Sequence, residues 1–145
     1  MLAFDTNIVF YAVNRQSKHN SRAVGFLESL RGVNAVVVSE LMLTELYRLL
    51  RNPTINPSPL SSEEASRVVQ TFRRHPKWRL VGLPPHSRRF HDQVWRKALE
   101  PDFPYRKIYD VRLGLSLIEQ GVTDFATANL KDFEHLGFAR VWNPL

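Results

Sequence analysis

The chain has 145 residues, 20 Lys and Arg against 14 Asp and Glu, a formal charge of +6 and no cysteine. Its length suits one domain over residues 1–145, able to bury roughly 70% of its unfolded surface without staples. Disulfides, thiolate metal sites and a cysteine nucleophile are excluded. With 43% apolar residues a packed core is expected rather than disorder, and the positive charge favours a polyanionic partner such as nucleic acid. No apolar run reaches the roughly 18 residues of a membrane span, and the basic-then-apolar start of a signal peptide is missing, so a cytoplasmic protein without membrane contact is expected.

Met1 to Phe4 predicts a short buried strand that runs straight into Asp5, Thr6 and Asn7, after which Ile8 to Val13 reads as a helix. Asn20 or Ser21 is the expected cap of a second helix reaching Arg31. Ala35 to Val38 is a β-branched strand, and Ser39 opens a Leu-rich helix, Glu40 to Arg51, ended by Asn52-Pro53. Ser61-Ser62-Glu63-Glu64 has the form of a capping box. Trp78 to Leu83 is a third strand, Ser87 to Leu99 a helix with Phe90, Val94 and Ala98 inward, and Ile108 to Gln120 a helix stopped by Gly121. Asp124 to Thr127 and Ala139 to Trp142 complete five strands separated by helices. That alternation implies a mostly parallel, doubly wound sheet between helical layers, a three-layer α/β/α fold.

Four acidic positions stand out. Asp5 lies where a strand gives way to a helix, at the sheet rim where open α/β folds build their sites, although Asp is also a good helix cap. Glu45 has Leu41 and Leu49 one turn to either side, so it shares an apolar face instead of lying opposite it. The plainer reading is an exposed Glu45 paired with Arg48. Asp110, preceded by Tyr109, falls in the first turn of its helix, where it would also complement the helix dipole. Asp132 follows Thr127 and Asn129 within one turn of a strand end, where turn chemistry alone would account for polar side chains.

Together these residues resemble the PIN-domain ribonucleases, in particular the VapC-type toxins of bacterial and archaeal toxin–antitoxin pairs. The resemblance rests on Asp5-Thr-Asn, Glu45 in Leu-Thr-Glu-Leu, and Asp110 in Tyr-Asp-Val-Arg-Leu with Gly121 following. It rests also on the closing Ala-Thr127-Ala-Asn129-Leu-Lys-Asp132-Phe133 with Leu136-Gly137-Phe138 and Asn143-Pro144-Leu145, and it spans nearly the whole chain. It implies sheet order 3-2-1-4-5 and an endoribonuclease whose metal ligands are Asp5, Glu45 and Asp110. Asn129 stands where the family often has Asp, and Asp132 is the other candidate for that fourth charge. Thr6, Asn7 and Thr127 would support the ligands in a second shell. It further implies a homodimer and a cognate antitoxin.

All-oxygen donors suit Mg2+ or Mn2+ better than Zn2+, and the five histidines form no ligand pair. Carboxylates alone would repel an RNA phosphodiester, whereas carboxylates holding a divalent ion attract it and activate water. Among the basic residues, Arg48, Arg106 and Lys107 are the candidate phosphate contacts, and Trp78, Trp95 or Tyr105 candidate stacking platforms, with core or interface the preferred place for Trp95. A haloacid-dehalogenase-like enzyme would need Asp where Asn7 stands, and a receiver domain an acceptor Asp where Leu83-Pro84 stands. The remaining alternatives are a PIN-like RNA-processing nuclease outside a toxin pair, or an inactive RNA-binding module.

Overall fold

The computed structural model describes all residues, Met1–Leu145. Five short strands, β1 (Leu2–Phe4), β2 (Val36–Ser39), β3 (Arg79–Val81), β4 (Asp124–Ala126) and β5 (Arg140–Trp142), form one sheet in the order β3-β2-β1-β4-β5. Every neighbouring pair is parallel, so the sheet is parallel throughout. The apolar runs explain this: Val36–Ser39 is buried at all four positions, as a strand covered on both faces must be. Four of the strands are shorter than the sequence suggests, whereas β2 keeps four residues but is shifted by one, taking in Ser39 and leaving out Ala35.

Seven helices cover the sheet: α1 (Thr6–Val13), α2 (Asn20–Leu30), α3 (Glu40–Arg51), α4 (Ser62–Arg73), α5 (Ser87–Ala98), α6 (Lys107–Glu119) and α7 (Leu130–Phe133). Helices α1 to α4 pack on one another, and α5 to α7 form a second group. The chain changes side between β3 and β4, as right-handed crossovers require in this strand order. A core of 21 buried residues, including Phe4, Val9, Leu46, Leu50, Phe125 and Phe133, joins strands and helices. Phe90, Val94 and Val111 form a smaller core between α5 and α6.

Local signals explain most boundaries. Ser61 and Glu64 form the expected capping box at α4, and Ser39 Oγ accepts from the Leu41 N–H to start α3. Gly121, at φ 89°, ends α6 with the paired bonds of a Schellman turn, Val122 N–H to the Leu117 carbonyl and Gly121 N–H to that of Ile118.

Three expectations need correction. Asn20 does not cap α2. Its amide instead donates to the carbonyls of Tyr11 and Ala12, 2.9 Å each, closing the free end of α1, and His19 occupies the cap position. The turn after β4 contains a one-turn helix, α7, too short to leave a periodic signal. Of the two places expected for Trp95, core or interface, the core is ruled out: it is 58% exposed, because the inward face of α5 is already filled by Phe90 and Val94.

Candidate active site

In a parallel sheet all strands deliver their carboxyl ends to one rim. The register aligns Phe4 with Ala126, so the next residues, Asp5 and Thr127, meet side by side. Both are buried, Asp5 to 6% exposure. Asp5 adopts the backbone of a helix cap, yet its side chain caps nothing. Its Oδ2 accepts from the Thr127 hydroxyl at 2.7 Å and from the Asn7 amide at 2.6 Å. No side chain donates to Oδ1. Thr127 Oγ1 accepts in turn from the Asn129 backbone N–H at 2.9 Å. The simple cap reading of Asp5 therefore fails.

Glu45 is held from α1. Thr6, the first residue of that helix and fully enclosed, donates its hydroxyl to Glu45 Oε2 at 2.8 Å. Half-buried Glu45 makes no ion pair with Arg48, which lies exposed. The apolar flanks of Glu45 mark a side chain turned toward the rim, and Thr6 fixes it there.

Asp110 reaches the same place from the other helical group. It stands in the first turn of α6, half-buried. One turn further on the same face, Gly114 lets the chain after α7 come close. A Cβ there would collide with Leu136 and touch Phe133 at 3.5 Å. This approach sets α7 and its Asp132 beside the start of α6, where Lys107 Nζ lies 3.1 Å from Asp132 Oδ1. The contribution of Gly114 escapes a search for chemistry-bearing residues; its spacing of four from Asp110 is the only sequence signal for it.

The four acids act on one another electrostatically. Burial pushes the Asp5 carboxyl up to about 6; the Thr127 bond opposes this, and the charges of Glu45 and Asp132 add to it. Burial likewise pushes Asp110 up to about 7, followed by the charges of Asp5, Asp132 and Glu45, against the pull of Lys107. Even so, no three acidic or histidine side chains are drawn into a formed metal cage. An all-oxygen set in which one Asp5 oxygen receives no side-chain donor, with two carboxyls shifted toward the neutral form, has the donor chemistry of a hard divalent cation site.

The remaining candidates divide. Arg106 is exposed, and Lys107 is engaged with Asp132. Asn129 is exposed and joins the network through its backbone only. Trp78 is committed elsewhere: its N–H donates to the Leu30 carbonyl, His75 stacks on it, and it precedes β3 at the opposite end of the sheet. A shallow surface hollow of about 500 Å³ runs along α4 from Glu63 to Arg74 and contains none of the four acids. Three of the six buried polar residues, Asp5, Thr6 and Thr127, belong to the rim. Buried polar side chains are the informative kind, and here they concentrate at one place.

The chain is similar to known proteins over its full length. Residues 2–122 match the PIN domain family. Ribonuclease VapC24 from Mycobacterium tuberculosis is 44% identical over all 145 residues, covering 100% of this chain and 97% of that protein. Among solved structures, VapC20 of the same organism, a sarcin–ricin-loop-cleaving toxin, superposes with a TM-score of 0.71 at 16% identity over 95% of this chain and 96% of that one. VapBC2 from Rickettsia felis, bound to a DNA fragment from its promoter, gives a TM-score of 0.64 at 19% identity, covering 98% and 97% of the two chains.

Proposed function

The chain belongs to the PIN-domain family of VapC-type ribonucleases, and from that premise we propose that its single domain, residues 1–145, is the toxin of a toxin–antitoxin pair, a metal-dependent endoribonuclease acting in the cytoplasm. The observation that carries this reading is the meeting of Asp5, Glu45, Asp110 and Asp132 from four separate elements at one rim. An ordinary stabilising surface would not assemble three further acids around a buried carboxyl.

Asp5 and Asp110 would hold Mg2+ or Mn2+, and Glu45 would bind it directly or through water. Once bound, the ion supplies charge neutralisation, attraction for the scissile phosphate and a more acidic water. Thr127 and Asn7 fix the Asp5 carboxylate in one rotamer, and Thr6 does the same for Glu45. Asp110, its carboxyl raised to about 7, retains its proton in much of the metal-free protein at neutral pH and gives it up as a cation arrives. Asp132 supplies the fourth charge, with Asn129 contributing its backbone N–H to Thr127. Lys107 screens Asp132 until a phosphate competes for the ammonium. Arg48, Arg106 and Lys107 hold the RNA backbone.

A homodimer and a cognate antitoxin complete the proposal. Tyr11, Phe26 and Tyr47, only partly covered by the core, are the aromatic groups available to such partners, whereas Phe10 is buried. No helix is long and apolar enough to cross a membrane.

The test is to induce the intact protein and Asp5→Ala in a host and sequence RNA 5′ ends. New 5′ ends at discrete sites with the intact protein, absent with Asp5→Ala, are expected. Identical end profiles in the two cultures would replace the nuclease by an inactive RNA-binding module. Cleavage that co-expression of no neighbouring small protein suppresses would favour an RNA-processing nuclease outside a toxin pair.

A further inference from the structure

Two large aromatic side chains beside the acidic rim have no structural task. Tyr105 is 78% exposed and Tyr109 is 69% exposed, and neither packs against the core clusters. Tyr105 lies in the turn just before α6 and Tyr109 in the helix's first turn, four residues on, where it directly precedes Asp110. Exposed tyrosines scattered singly need no explanation. A pair flanking two cations at the entrance to α6, in the segment that leads into Asp110, is a different matter.

Their surroundings are cationic. The Arg106 guanidinium lies over the Tyr105 ring, 5.6 Å from its centroid, and its Nε donates to the Tyr105 hydroxyl at 3.2 Å. Arg106 is also one turn before Asp110, and Lys107 reaches back to Asp132 at 3.1 Å. The segment from Tyr105 to Tyr109 therefore carries two aromatic faces and two positive charges, and no carboxylate. A protein partner would bring apolar side chains to cover the rings and acids to meet the cations. A single RNA strand brings both at once, since each nucleotide carries a flat base and a phosphate.

We propose that Tyr105 and Tyr109 are nucleobase-stacking residues, forming with Arg106 a platform that holds single-stranded RNA on the α6 side of the acidic rim. The inference rests on the nuclease reading and adds which face of the site the substrate strand follows. Bases resting on the two rings leave their phosphates to Arg106 and Lys107, and the strand then passes Asp110. The rings act on position and affinity, not on bond cleavage. Stacking is tolerant of base identity, so the platform grips any unpaired segment, and sequence choice is left to other contacts.

Binding is read by anisotropy with a labelled, randomised single-stranded RNA in EDTA, and cleavage of the same RNA is measured with Mn2+. Tyr109→Ala and Tyr105→Ala should each weaken binding about tenfold, raising KM with kcat nearly unchanged. Tyr109→Phe should keep wild-type affinity, since a phenyl ring stacks as well as a phenol. An abasic ribose-phosphate strand of equal length should bind the wild type as poorly as intact RNA binds the double alanine variant, and it should not distinguish the two proteins. This last arm needs no variant to fold. Wild-type protein that binds intact and abasic strands equally overturns the platform while leaving the nuclease standing. Alanine variants with unchanged RNA affinity but a lost dimer or antitoxin complex also overturn it, and assign the rings to a protein interface. A wild type that neither binds nor cleaves RNA overturns the underlying nuclease reading.

Discussion

Replacing Asp110 by Asn separates a shared anionic site from a helix-capping acid. Asp110 is moved from 3.8 to about 7, first by burial and then by the charges of Asp5, Asp132 and Glu45. At about 1.4 kcal/mol per pKa unit this nominally costs about 4 kcal/mol above neutrality. Asp110 is only half-buried, so solvent screening leaves roughly a quarter of that, about 1 kcal/mol. Asp110 has no hydrogen bond among the influences on it, so Asn forfeits none. The sign follows from proton uptake. Between its unfolded value and about 7 the folded carboxyl binds more protons than the unfolded one, so stability falls as pH rises across that window. Asp110→Asn should therefore melt about 3 °C higher than wild type at pH 8 in EDTA. The difference should vanish near pH 5, where wild-type Asp110 is protonated. Differential scanning calorimetry at the two pH values reads both outcomes. A capping acid predicts the reverse, a loss of roughly 0.5–1 kcal/mol with the helix-dipole interaction. An Asp110→Asn that is less stable at pH 8, or equally shifted at both pH values, refutes the shared-site argument.

Other expectations follow from the same geometry. Mg2+ or Mn2+ at about a hundred times its Kd should stabilise the fold by roughly 2.7 kcal/mol, seen as a melting shift that Asp5→Asn and Asp110→Asn lose. Thr127→Val removes the hydroxyl bonded to Asp5 and orphans the Asn129 N–H. It should lower cleavage about 10- to 100-fold and raise the Asp5 pKa further, the latter measurable by carboxyl NMR titration. Thr6→Val frees Glu45 from its 2.8 Å donor and should cut cleavage about tenfold with little change in RNA affinity measured in EDTA. Sedimentation at micromolar protein should show a dimer, and a clean monomer would count against the proposed assembly.

The sheet was legible in the sequence because its strands are β-branched or apolar runs separated by helices with strong punctuation, Asn52-Pro53 after α3 and Gly121 after α6, and Pro84-Pro85 follows β3. Helix α3 was legible down to its ends, since Ser39 and Asn52 are unambiguous caps and its leucines repeat at helical spacing. Asp5 and Glu45 stood out because each breaks a local rule, an acid directly after a buried strand and an acid between leucines. What the sequence hides is tertiary. Asn20 looks like a cap for its own helix, and only the fold shows α1 ending within its reach. Helix α7 is a single turn held by packing of Phe133 against Phe125, ring centroids 4.6 Å apart, and has no period to detect. The pairing of Lys107 with Asp132 depends on Gly114 bringing α6 close to the chain after α7. Trp95 shows the limit of composition: a large aromatic suggests burial, yet the inward face of its helix was already full.

The central claim is that the four acids form one cation-dependent site for RNA hydrolysis. Its most direct measurement is cleavage of RNA by the purified protein, stripped with EDTA and then supplied with Mg2+ or Mn2+, beside Asp5→Asn treated identically. No cleavage in chelator, restoration by either ion, and no restoration in the variant, whose fold remains intact by circular dichroism, are the expected results. Full activity in excess chelator, or wild-type cleavage by Asp5→Asn, would contradict it.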